Sequence, residues 1–400
     1  MFITYMSDKI RIILKSGKDQ SLRRYHPWVF SGAIKKIYGS PSEGDLVEVF
    51  SNKDEFLGSG HYAHGTIAVR IISFEPVDDL NQIVQQRISA AFEYRATLGL
   101  VDHTEINVYR LINAEGDGLP GLIMDYYNGT VVSQFHSVGM FREKAAITDG
   151  LKDTFGQRLT GIYDKSASTL PEWKGVKAIN GYIFQGKSEN CVIEYGNKFI
   201  VDWKEGQKTG FYIDQRENRK LLGTLSSGRS VLNLFGYTGG FSVYALRGGA
   251  KFVHTVDSSA GAIKLAIQNI KMNFNEPVPH KAFVEDVSSF LHNTKDQYDL
   301  VIADPPAFAK HQNVLANALQ GYKRLNTRLF EIVNPGGIVI TFSCSQVVSR
   351  ENFRKSVFTA AANAGRKVRI MYQLSQPPDH PVSIYHPEGE YLKGLVVYVE

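Results

Sequence analysis

Residues 230–257 read SVLNLFGYTGGFSVYALRGGAKFVHTVD, and this stretch decides the fold of the C-terminal half of the chain. An apolar run at Ser230–Phe235 predicts a buried strand, and a glycine-rich turn leads from it into an apolar helix at Phe241–Arg247. A second strand is predicted at Phe252–Val256, and the acidic Asp257 follows it. This order of strand, turn, helix and strand is the repeating unit of a parallel sheet.

The alternation of strands and helices continues beyond residue 257. The further predicted elements are strands at Ala282–Glu285, Tyr298–Ala303 and Ile338–Phe342, and helices at Ala260–Asn273 and Ala316–Val333. The pattern predicts an α/β fold, a Rossmann-like parallel sheet with helices on both faces. Ligands of such sheets bind at the carboxyl ends of the strands, so the residues that follow each strand are candidates for a site.

The turn after the first strand contains the first candidate ligand-binding residues. In NLFGYTGG they are Asn233, Phe235, Gly236, Tyr237 and Gly239. Glycine lets a backbone approach a bound group closely and turn tightly into a helix. The spacing departs from GxGxxG, which argues against a simple dinucleotide site, and a purely structural turn is the alternative.

Acidic residues end the second and third predicted strands. Asp257, followed by Ser258, can accept hydrogen bonds from both ribose hydroxyls of an adenosine. Asp286 can accept a hydrogen bond from an adenine amine. The alternative for each is a solvated carboxylate or a helix cap. Their positions beside the glycine-rich turn favour nucleoside binding.

A rigid acidic motif follows the fourth predicted strand. The sequence DPPAF runs from Asp304 to Phe308, and its two prolines stiffen the loop. Such a loop can simply end a strand. At this position of the sheet we expect it to form a wall of the active site, with the aromatic ring of Phe308 against a planar group.

A cysteine between two serines follows the fifth predicted strand. The thiolate of Cys344 could add to C6 of a pyrimidine and so make C5 nucleophilic. A buried apolar cysteine is the alternative, and we interpret Cys191, on a predicted hairpin strand, in that way. Because an ordinary thiol is mostly protonated at neutral pH, a nucleophilic Cys344 requires a positive charge or a base nearby.

A polar and aromatic segment, Gln207–Asn218, precedes the first strand of the parallel sheet. It contains Phe211 and Asp214 as candidate binding residues. A surface loop with a helix cap is one interpretation. We favour the other, a motif that lies over a bound cofactor.

The N-terminal half has a different pattern, which predicts two further domains. Short strands separated by Gly, Pro and Ser predict a small barrel-like β domain over residues 1–75. A helix at Leu80–Leu98 opens an α+β middle domain over residues 76–190, and residues 191–400 form the third domain.

The charge balance is compatible with a polyanionic partner. The net charge is +5, and Arg23, Arg24 and Trp28 predict a basic, aromatic face on the first domain. A solvated charged surface is the alternative. Two cysteines and the absence of a signal peptide or long apolar stretch predict a cytoplasmic protein, and no metal site is predicted.

Taken together, these motifs resemble class I S-adenosylmethionine-dependent methyltransferases of the ribosomal RNA large subunit (23S) 5-methylcytosine family. The order and spacing match over roughly residues 190–400. HPWVFSG at 26–32 looks like the start of that family's PUA domain, an RNA-binding β-barrel, and EGDGLPGL at 115–122 is similar to its middle domain.

The resemblance implies S-adenosylmethionine as the cofactor, 23S ribosomal RNA, naked or partly assembled, as the partner, and a homodimer. It also implies a role for each matching residue: Asn233, Gly236 and Gly239 border the cofactor, Asp257 binds its ribose, Asp286 its adenine, Asp304 lies near the methyl group and the target base, and Cys344 is the attacking thiol.

One departure from the broader RNA 5-methylcytosine enzymes keeps alternatives open. Many of them carry a second cysteine, which helps to release the product, where this chain has Pro306. Release then requires another base, such as Asp304 or a water molecule. Single-cysteine chemistry resembles 5-methyluridine enzymes, so uracil is an alternative target. Methylation of an exocyclic amine, with Cys344 as a bystander, and a non-catalytic RNA-binding protein are the others.

Overall fold

The computed structural model describes residues 10–186, 189–309 and 311–400, and the chain divides into two compact units. The first unit consists of Met1–Asn190, Asp202–Gly210 and Pro378–Gly389, and the second of Cys191–Val201, Phe211–Pro377 and Glu390–Glu400. The domain limits predicted from the sequence, 1–75, 76–190 and 191–400, stay a prediction. The part of the signal-peptide prediction that falls on residues 1–9 lies outside the described residues.

The first sheet of the first unit has six strands. They are β1 (Ile10–Leu14), β2 (Trp28–Phe30), β3 (Ile34–Tyr38), β4 (Leu46–Phe50), β5 (Phe56–Tyr62) and β6 (Ile67–Ser73), and a short helix, α1 (Gln20–Arg23), follows β1. The spatial order is β2-β6-β5-β4-β1-β3, with β1 parallel to β4 and the other neighbours antiparallel. Alternate apolar residues such as Val47 and Val49 point into one buried core.

A second sheet in the same unit is flanked by helices. Its elements are α2 (Leu80–Thr97), β7 (Val108–Asn113), β8 (Leu122–Tyr127), β9 (Thr130–Phe135), α3 (Val138–Arg142), α4 (Lys144–Phe155), β10 (Gly161–Asp164) and β11 (Gly181–Gln185), with the strands ordered β11-β10-β9-β8-β7. The helix predicted at Leu80–Leu98 is confirmed. Helix α2 packs against α4, where the rings of Phe92 and Phe155 lie 4.9 Å apart.

The second unit begins with a hairpin of β12 (Cys191–Glu194) and β13 (Asn197–Ile200). Its two-residue turn is formed by Tyr195 and Gly196, which both have positive φ, 47° and 74°. Positive φ at both central positions is the geometry that matches the twist of paired antiparallel strands.

A seven-stranded sheet forms the centre of the second unit. Its strands are β14 (Ser230–Leu234), β15 (Phe252–Asp257), β16 (His280–Val284), β17 (Tyr298–Ala303), β18 (Val333–Ser343), β19 (Val368–Leu374) and β20 (Lys393–Val399). The order is β16-β15-β14-β17-β18-β20-β19. Strands β14 to β18 are parallel, which confirms the five predicted strands, whereas β20 is antiparallel to both of its neighbours.

Helices pack against this sheet. They are α5 (Arg216–Leu225), α6 (Gly240–Arg247), α7 (Ala260–Asn273), α8 (Val287–Asn293), α9 (Leu315–Ile332) and α10 (Arg350–Asn363). Helices α5 to α7 form one contiguous group, and α9 packs against α10. The strand order reverses between β14 and β17, and parallel sheets bind ligands at such a point. Within the described residues, no helix combines the length and apolar character needed to span a membrane.

Candidate active site

The glycine-rich loop after β14 adopts a backbone that is unusual for its residue types. Phe235 and Tyr237 have φ values of 57° and 43°, in the left-handed region that side chains disfavour, and Gly239 has a φ of 77°. A Cβ on Gly236 would lie 2.4 Å from Cγ2 of Thr255 on β15, so only glycine fits there. Non-glycine residues held at positive φ are concentrated at ligand sites, which favours binding over a purely structural turn.

Asn233 supports this loop from inside the protein. Its side chain is buried, and its Nδ2 donates to Oγ of Ser242 over 2.8 Å. The chain of hydrogen bonds continues from Ser242 to Thr255, 2.6 Å, and from Thr255 to Nε2 of His280, 2.8 Å. Burial lowers the pKa of His280 to about 4, so this imidazole is neutral at pH 7. That Asn233 also contacts a cofactor stays a prediction.

Asp257 lies at the end of β15 with both carboxylate oxygens oriented by the backbone. Oδ2 accepts from the N–H of Tyr237 over 2.9 Å, and Oδ1 accepts from the N–H of Ser259 over 2.9 Å. Ser259, not Asp257, is the N-cap of α7. The half-buried carboxylate is thereby tied to the glycine-rich loop, and each oxygen keeps a lone pair for a further hydrogen bond.

Asp286 and Ser258 are the more exposed of the predicted binding residues. Asp286 caps α8, and its Oδ1 accepts from the N–H of Ser289 over 3.1 Å. One carboxylate oxygen of Asp286 therefore acts as the helix cap that the alternative interpretation expects. Hydrogen bonding through its second oxygen stays a prediction.

The segment before α5 contacts the DPPAF motif directly. Gln215 donates from Nε2 to Oδ2 of Asp304 over 2.9 Å, and Asn218 donates to Oε1 of Gln215 over 2.6 Å. Asp214 is buried and accepts from the hydroxyl of Tyr391 over 2.8 Å. The part of the segment from Phe211 onward thus lies beside the DPPAF loop, and its position over a bound cofactor stays a prediction.

Phe211 and Tyr212 differ in what they face. The ring of Phe211 is buried between Phe199, 5.1 Å away, and the Arg219 guanidinium, 4.6 Å away, so its side chain packs the interior. Its predicted contact with a cofactor stays a prediction. Tyr212 is half-buried, and burial, with the negative charge of Asp304, raises the pKa of its phenol.

Cys344 and Asp304 follow neighbouring parallel strands. Ala303 pairs with Thr341, so β17 and β18 end side by side. The Cys344 sulfur lies 3.7 Å from the carbonyl oxygen of Pro305 and is half-buried, so a ligand at the strand ends could reach it. Neither Cys344 nor Cys191, the two cysteines of the sequence, forms a disulfide.

The serines on either side of Cys344 are held by one tyrosine on α9. The Oγ atoms of Ser343 and Ser345 lie 2.9 Å and 3.0 Å from the buried hydroxyl of Tyr322. Ser345 Oγ also accepts from the N–H of Ala309, and the ring of Phe308 lies 4.6 Å from that of Tyr322. Tyr322 thus connects the cysteine loop to the DPPAF loop.

Several residues of this site lie outside the predicted set, among them Gln215, Tyr322 and Lys393. Gln215 lies inside the segment that the sequence singles out, and Tyr322 carries no distinguishing signal within an amphipathic helix. Lys393 begins the apolar strand KGLVVYV and is buried. A lysine in so apolar a stretch is a signal that could have been used, because an unpaired buried ammonium is costly.

The predicted RNA-binding arginines differ in their surroundings. Both are exposed, but Arg23 pairs with Asp19, Nε to Oδ2 2.7 Å, and with Glu55, whereas the ion pairs among the described residues do not include Arg24. On charge alone, Arg24 is the better candidate for a phosphate contact.

The side chain of Trp28 makes its contacts within the first unit. Its indole N–H donates to Glu115 over 2.8 Å, and its ring lies 4.4 Å from that of His386. Exposed aromatic side chains nearby include Phe30, 42% exposed, and Tyr25 and Tyr385, 54% and 51% exposed, whose rings are 5.4 Å apart. A tyrosine beside the predicted residue thus offers the surface on which a base could stack.

The fold and the loops at its strand ends are those of a class I methyltransferase, and comparison with known proteins agrees. A family model described as S-adenosylmethionine-dependent methyltransferase matches residues 182–389, and one described as a PUA-like domain matches residues 12–74. The PUA-like and methyltransferase parts of the predicted fold are thereby confirmed.

Relatives with the same name match almost the whole chain. Ribosomal RNA large subunit methyltransferase I of Aeromonas hydrophila is 39% identical, covering 96% of this chain and 98% of the relative. The protein of the same name from Pseudoalteromonas atlantica is 40% identical, with 97% and 99% covered. The chain therefore belongs to the family of S-adenosylmethionine-dependent methyltransferases that includes these relatives, and its cofactor is S-adenosylmethionine.

Solved structures share the fold along the whole chain. A protein from Streptococcus mutans assigned as an S-adenosylmethionine-dependent methyltransferase superposes with a TM-score of 0.83, at 22% identity, covering 97% of this chain and 99% of that one. A second, assigned as a methyltransferase and solved with SAH, gives a TM-score of 0.84 at the same identity and coverage. At this identity the likeness establishes the fold alone.

Proposed function

We propose that this protein methylates C5 of a cytosine in 23S ribosomal RNA, with Cys344 as the nucleophile. The observation that carries the proposal is the position of the Cys344 sulfur. It lies where the paired strands β17 and β18 end, 3.7 Å from the carbonyl oxygen of Pro305. Support for the substrate comes from the names of the full-length relatives and from the PUA-like domain. A cytoplasmic location and a homodimer stay predictions.

The residues at the strand ends fit S-adenosylmethionine. A Cβ at Gly236 would clash with Thr255, so glycine is required for the close turn of this loop. Asp257 lies beside the loop and has lone pairs that can accept hydrogen bonds from ribose hydroxyls. When bound, S-adenosylmethionine supplies an electrophilic methyl group on its sulfonium. Besides Asp257, the residues proposed to hold it are Asn233, Phe235, Gly236, Tyr237, Gly239, Ser258, Asp286, Phe211, Asp214 and Asp304.

The proposed role of Cys344 follows from the electronic structure of the pyrimidine. C5 is a poor nucleophile, because its electrons are delocalised in the ring. When the Cys344 thiolate forms a bond to C6, the π electrons of the C5–C6 bond move to C5, which would then take the methyl group as its bond to the sulfonium sulfur breaks and a neutral thioether is left. Loss of the C5 proton, to Asp304 or to a water molecule, re-forms the double bond and expels the thiolate. Gln215 orients Asp304 for contact with the target base.

The substrate and the modified atom can be tested together. Purified protein and labelled S-adenosylmethionine are incubated with naked 23S ribosomal RNA and with the assembled large subunit, and the product nucleosides are identified by mass spectrometry. We expect 5-methylcytidine. 5-Methyluridine would establish the uracil alternative, and a base methylated on its exocyclic amine would make Cys344 a bystander. Absence of methyl transfer to either RNA would contradict the proposal.

Loss of the Asp257 carboxylate should weaken cofactor binding. Asp257→Ala removes charge-assisted hydrogen bonds to the ribose, worth about 1.5–3 kcal/mol, or roughly 10- to 150-fold in Kd. Calorimetric titration with S-adenosylmethionine measures the change. Asp299→Ala is the control, because Asp299 lies near the amino end of β17, where it accepts from Ser230. Equal affinities of Asp257→Ala and the unaltered protein would refute the assignment.

The RNA contact of the first unit can be tested with two adjacent arginines. Each phosphate contact that is lost should flatten the slope of log affinity against log salt concentration by about 0.7–0.9. We expect this change for Arg24→Ala in the full-length protein, and a smaller one for Arg23→Ala, because Asp19 and Glu55 already pair with Arg23. An unaltered slope in Arg24→Ala would show that this arginine makes no phosphate contact. The proposed roles of Trp28 and Phe308 concern base contacts.

A further inference from the structure

A buried lysine lies directly behind the cysteine loop. Lys393, the first residue of β20, pairs with Ser343, the last residue of β18, and its side chain is only 4% exposed. Its Nζ donates to the carbonyl oxygen of Ser345 over 2.6 Å and to that of Tyr391 over 2.7 Å. The amine is thus anchored to the residue that follows Cys344.

Burial of this ammonium requires compensation. Burial lowers the pKa of Lys393 to about 8, against an opposing contribution from the negative charge of a Cys344 thiolate. Among the residues that the structure describes, no carboxylate forms an ion pair with the amine. Two of its three N–H donors are used by carbonyl groups, which favour the charged form. At pH 7 the lysine is therefore mostly protonated.

We infer that Lys393 is a positioning residue whose positive charge at neutral pH stabilises the thiolate form of Cys344. The inference rests on the proposed function, in which Cys344 is the nucleophile. The thiol proton leaves to solvent, Lys393 keeps its own protons throughout, and the thiolate attacks C6 and is later expelled unchanged. A nearby cation lowers the pKa of a cysteine because it stabilises the negative charge.

The other ionisable groups around this pair have opposing or small effects. Arg350 and Glu390, which form an ion pair, act on Lys393 with opposite signs. The phenols of Tyr212 and Tyr322 are uncharged at neutral pH, because burial raises the pKa of each. The carboxylates of Asp304 and Asp214 act, like Cys344, on Tyr212, and negative charge on this side disfavours a thiolate. Lys393 is therefore the charge whose removal should matter most.

The rate of alkylation of Cys344 against pH tests the inference without RNA. Full-length protein carrying Cys191→Ala is treated with iodoacetamide between pH 5.5 and 10, with Lys393 intact, as Lys393→Met and as Lys393→Arg. With Lys393 intact we expect a midpoint below the ordinary thiol value of about 8.5. Lys393→Met should raise the midpoint by about one unit or more, a tenfold loss of thiolate at pH 7. Lys393→Arg, which retains the charge, should keep most of the depression.

Further outcomes separate this inference from the proposed function. A midpoint near 8.5 in the protein with Lys393 intact would overturn the inference even if Lys393→Met fails to fold. An unaltered midpoint in a Lys393→Met protein that binds S-adenosylmethionine normally would also overturn the inference. The lysine would then have only a structural role, in holding β20 to the cysteine loop through its hydrogen bonds. Full methylation by Cys344→Ala would refute the role of Cys344 as nucleophile but not the inference about Lys393. Alkylation of the proteins that retain Cys344 would still measure the effect of Lys393 on the pKa of the thiol. Partial recovery of methylation by Lys393→Met at pH 9 would support the inference.

Discussion

Cys344→Ala should lower the rate of methyl transfer to ribosomal RNA by on the order of a thousandfold or more, because a nucleophile that forms the covalent intermediate has no substitute. Binding of S-adenosylmethionine should be nearly unchanged, since the proposed cofactor residues lie on other loops. The rate is measured with labelled S-adenosylmethionine and 23S ribosomal RNA. Cys191→Ala is the matched control and should retain activity, because Cys191 lies on the hairpin strand β12.

The covalent bond itself can be trapped. RNA that carries 5-fluorocytidine at the target position should remain attached to the protein, because fluorine at C5 prevents the proton loss that releases the thiolate. The adduct is expected with the unaltered protein and with Cys191→Ala, and not with Cys344→Ala. The target base must be unpaired or extruded from a helix for C6 to be reached. Near-normal methylation by Cys344→Ala would contradict the role of Cys344 as nucleophile and would favour methylation of an exocyclic amine.

Arg219→Met should destabilise the second unit by about 3–5 kcal/mol, because it leaves the carboxylate of Glu194 buried without its partner. Both side chains are buried, and Nη2 of Arg219 lies 2.7 Å from Oε2 of Glu194. The same guanidinium donates to the carbonyl oxygen of Tyr212 over 2.8 Å, so the segment over the site should loosen as well. The free energy of unfolding, measured with urea, reports the loss.

Two comparisons make this prediction specific. Lys355→Met removes an exposed pair with Glu351 on one helix face and should cost no more than about 0.5 kcal/mol. The double change Arg219→Met with Glu194→Gln removes both buried charges, so it should recover part of the lost stability. Equal effects of Arg219→Met and Lys355→Met would contradict the assignment.

The parallel sheet was largely predictable from residue patterns. The strands contain apolar runs, and glycine, aspartate or proline stands at or closely after the ends of β14 to β17, so these strands and the motifs after them follow from local chemistry. The apolar run Ile338–Phe342 predicts the second half of β18, which begins five residues earlier at Val333. The last two strands were not predicted. The apolar run of β20 is typical of a strand, but the antiparallel direction of β20 and the places of β19 and β20 beside β18 depend on pairing with distant parts of the chain.

The site, too, contains residues that the sequence predicts and contacts that only the tertiary structure shows. The sequence by itself determined that Asp257, Asp304 and Cys344 follow strands, and parallel strands bring their carboxyl ends to one edge. Only the tertiary structure decided which distant side chains orient them. Gln215 reaches Asp304 across 89 positions, and Lys393 reaches the carbonyl of Ser345 across 48. The physical reason is that secondary structure depends on neighbours in the chain, whereas hydrogen bonds and charge interactions depend on distance in space.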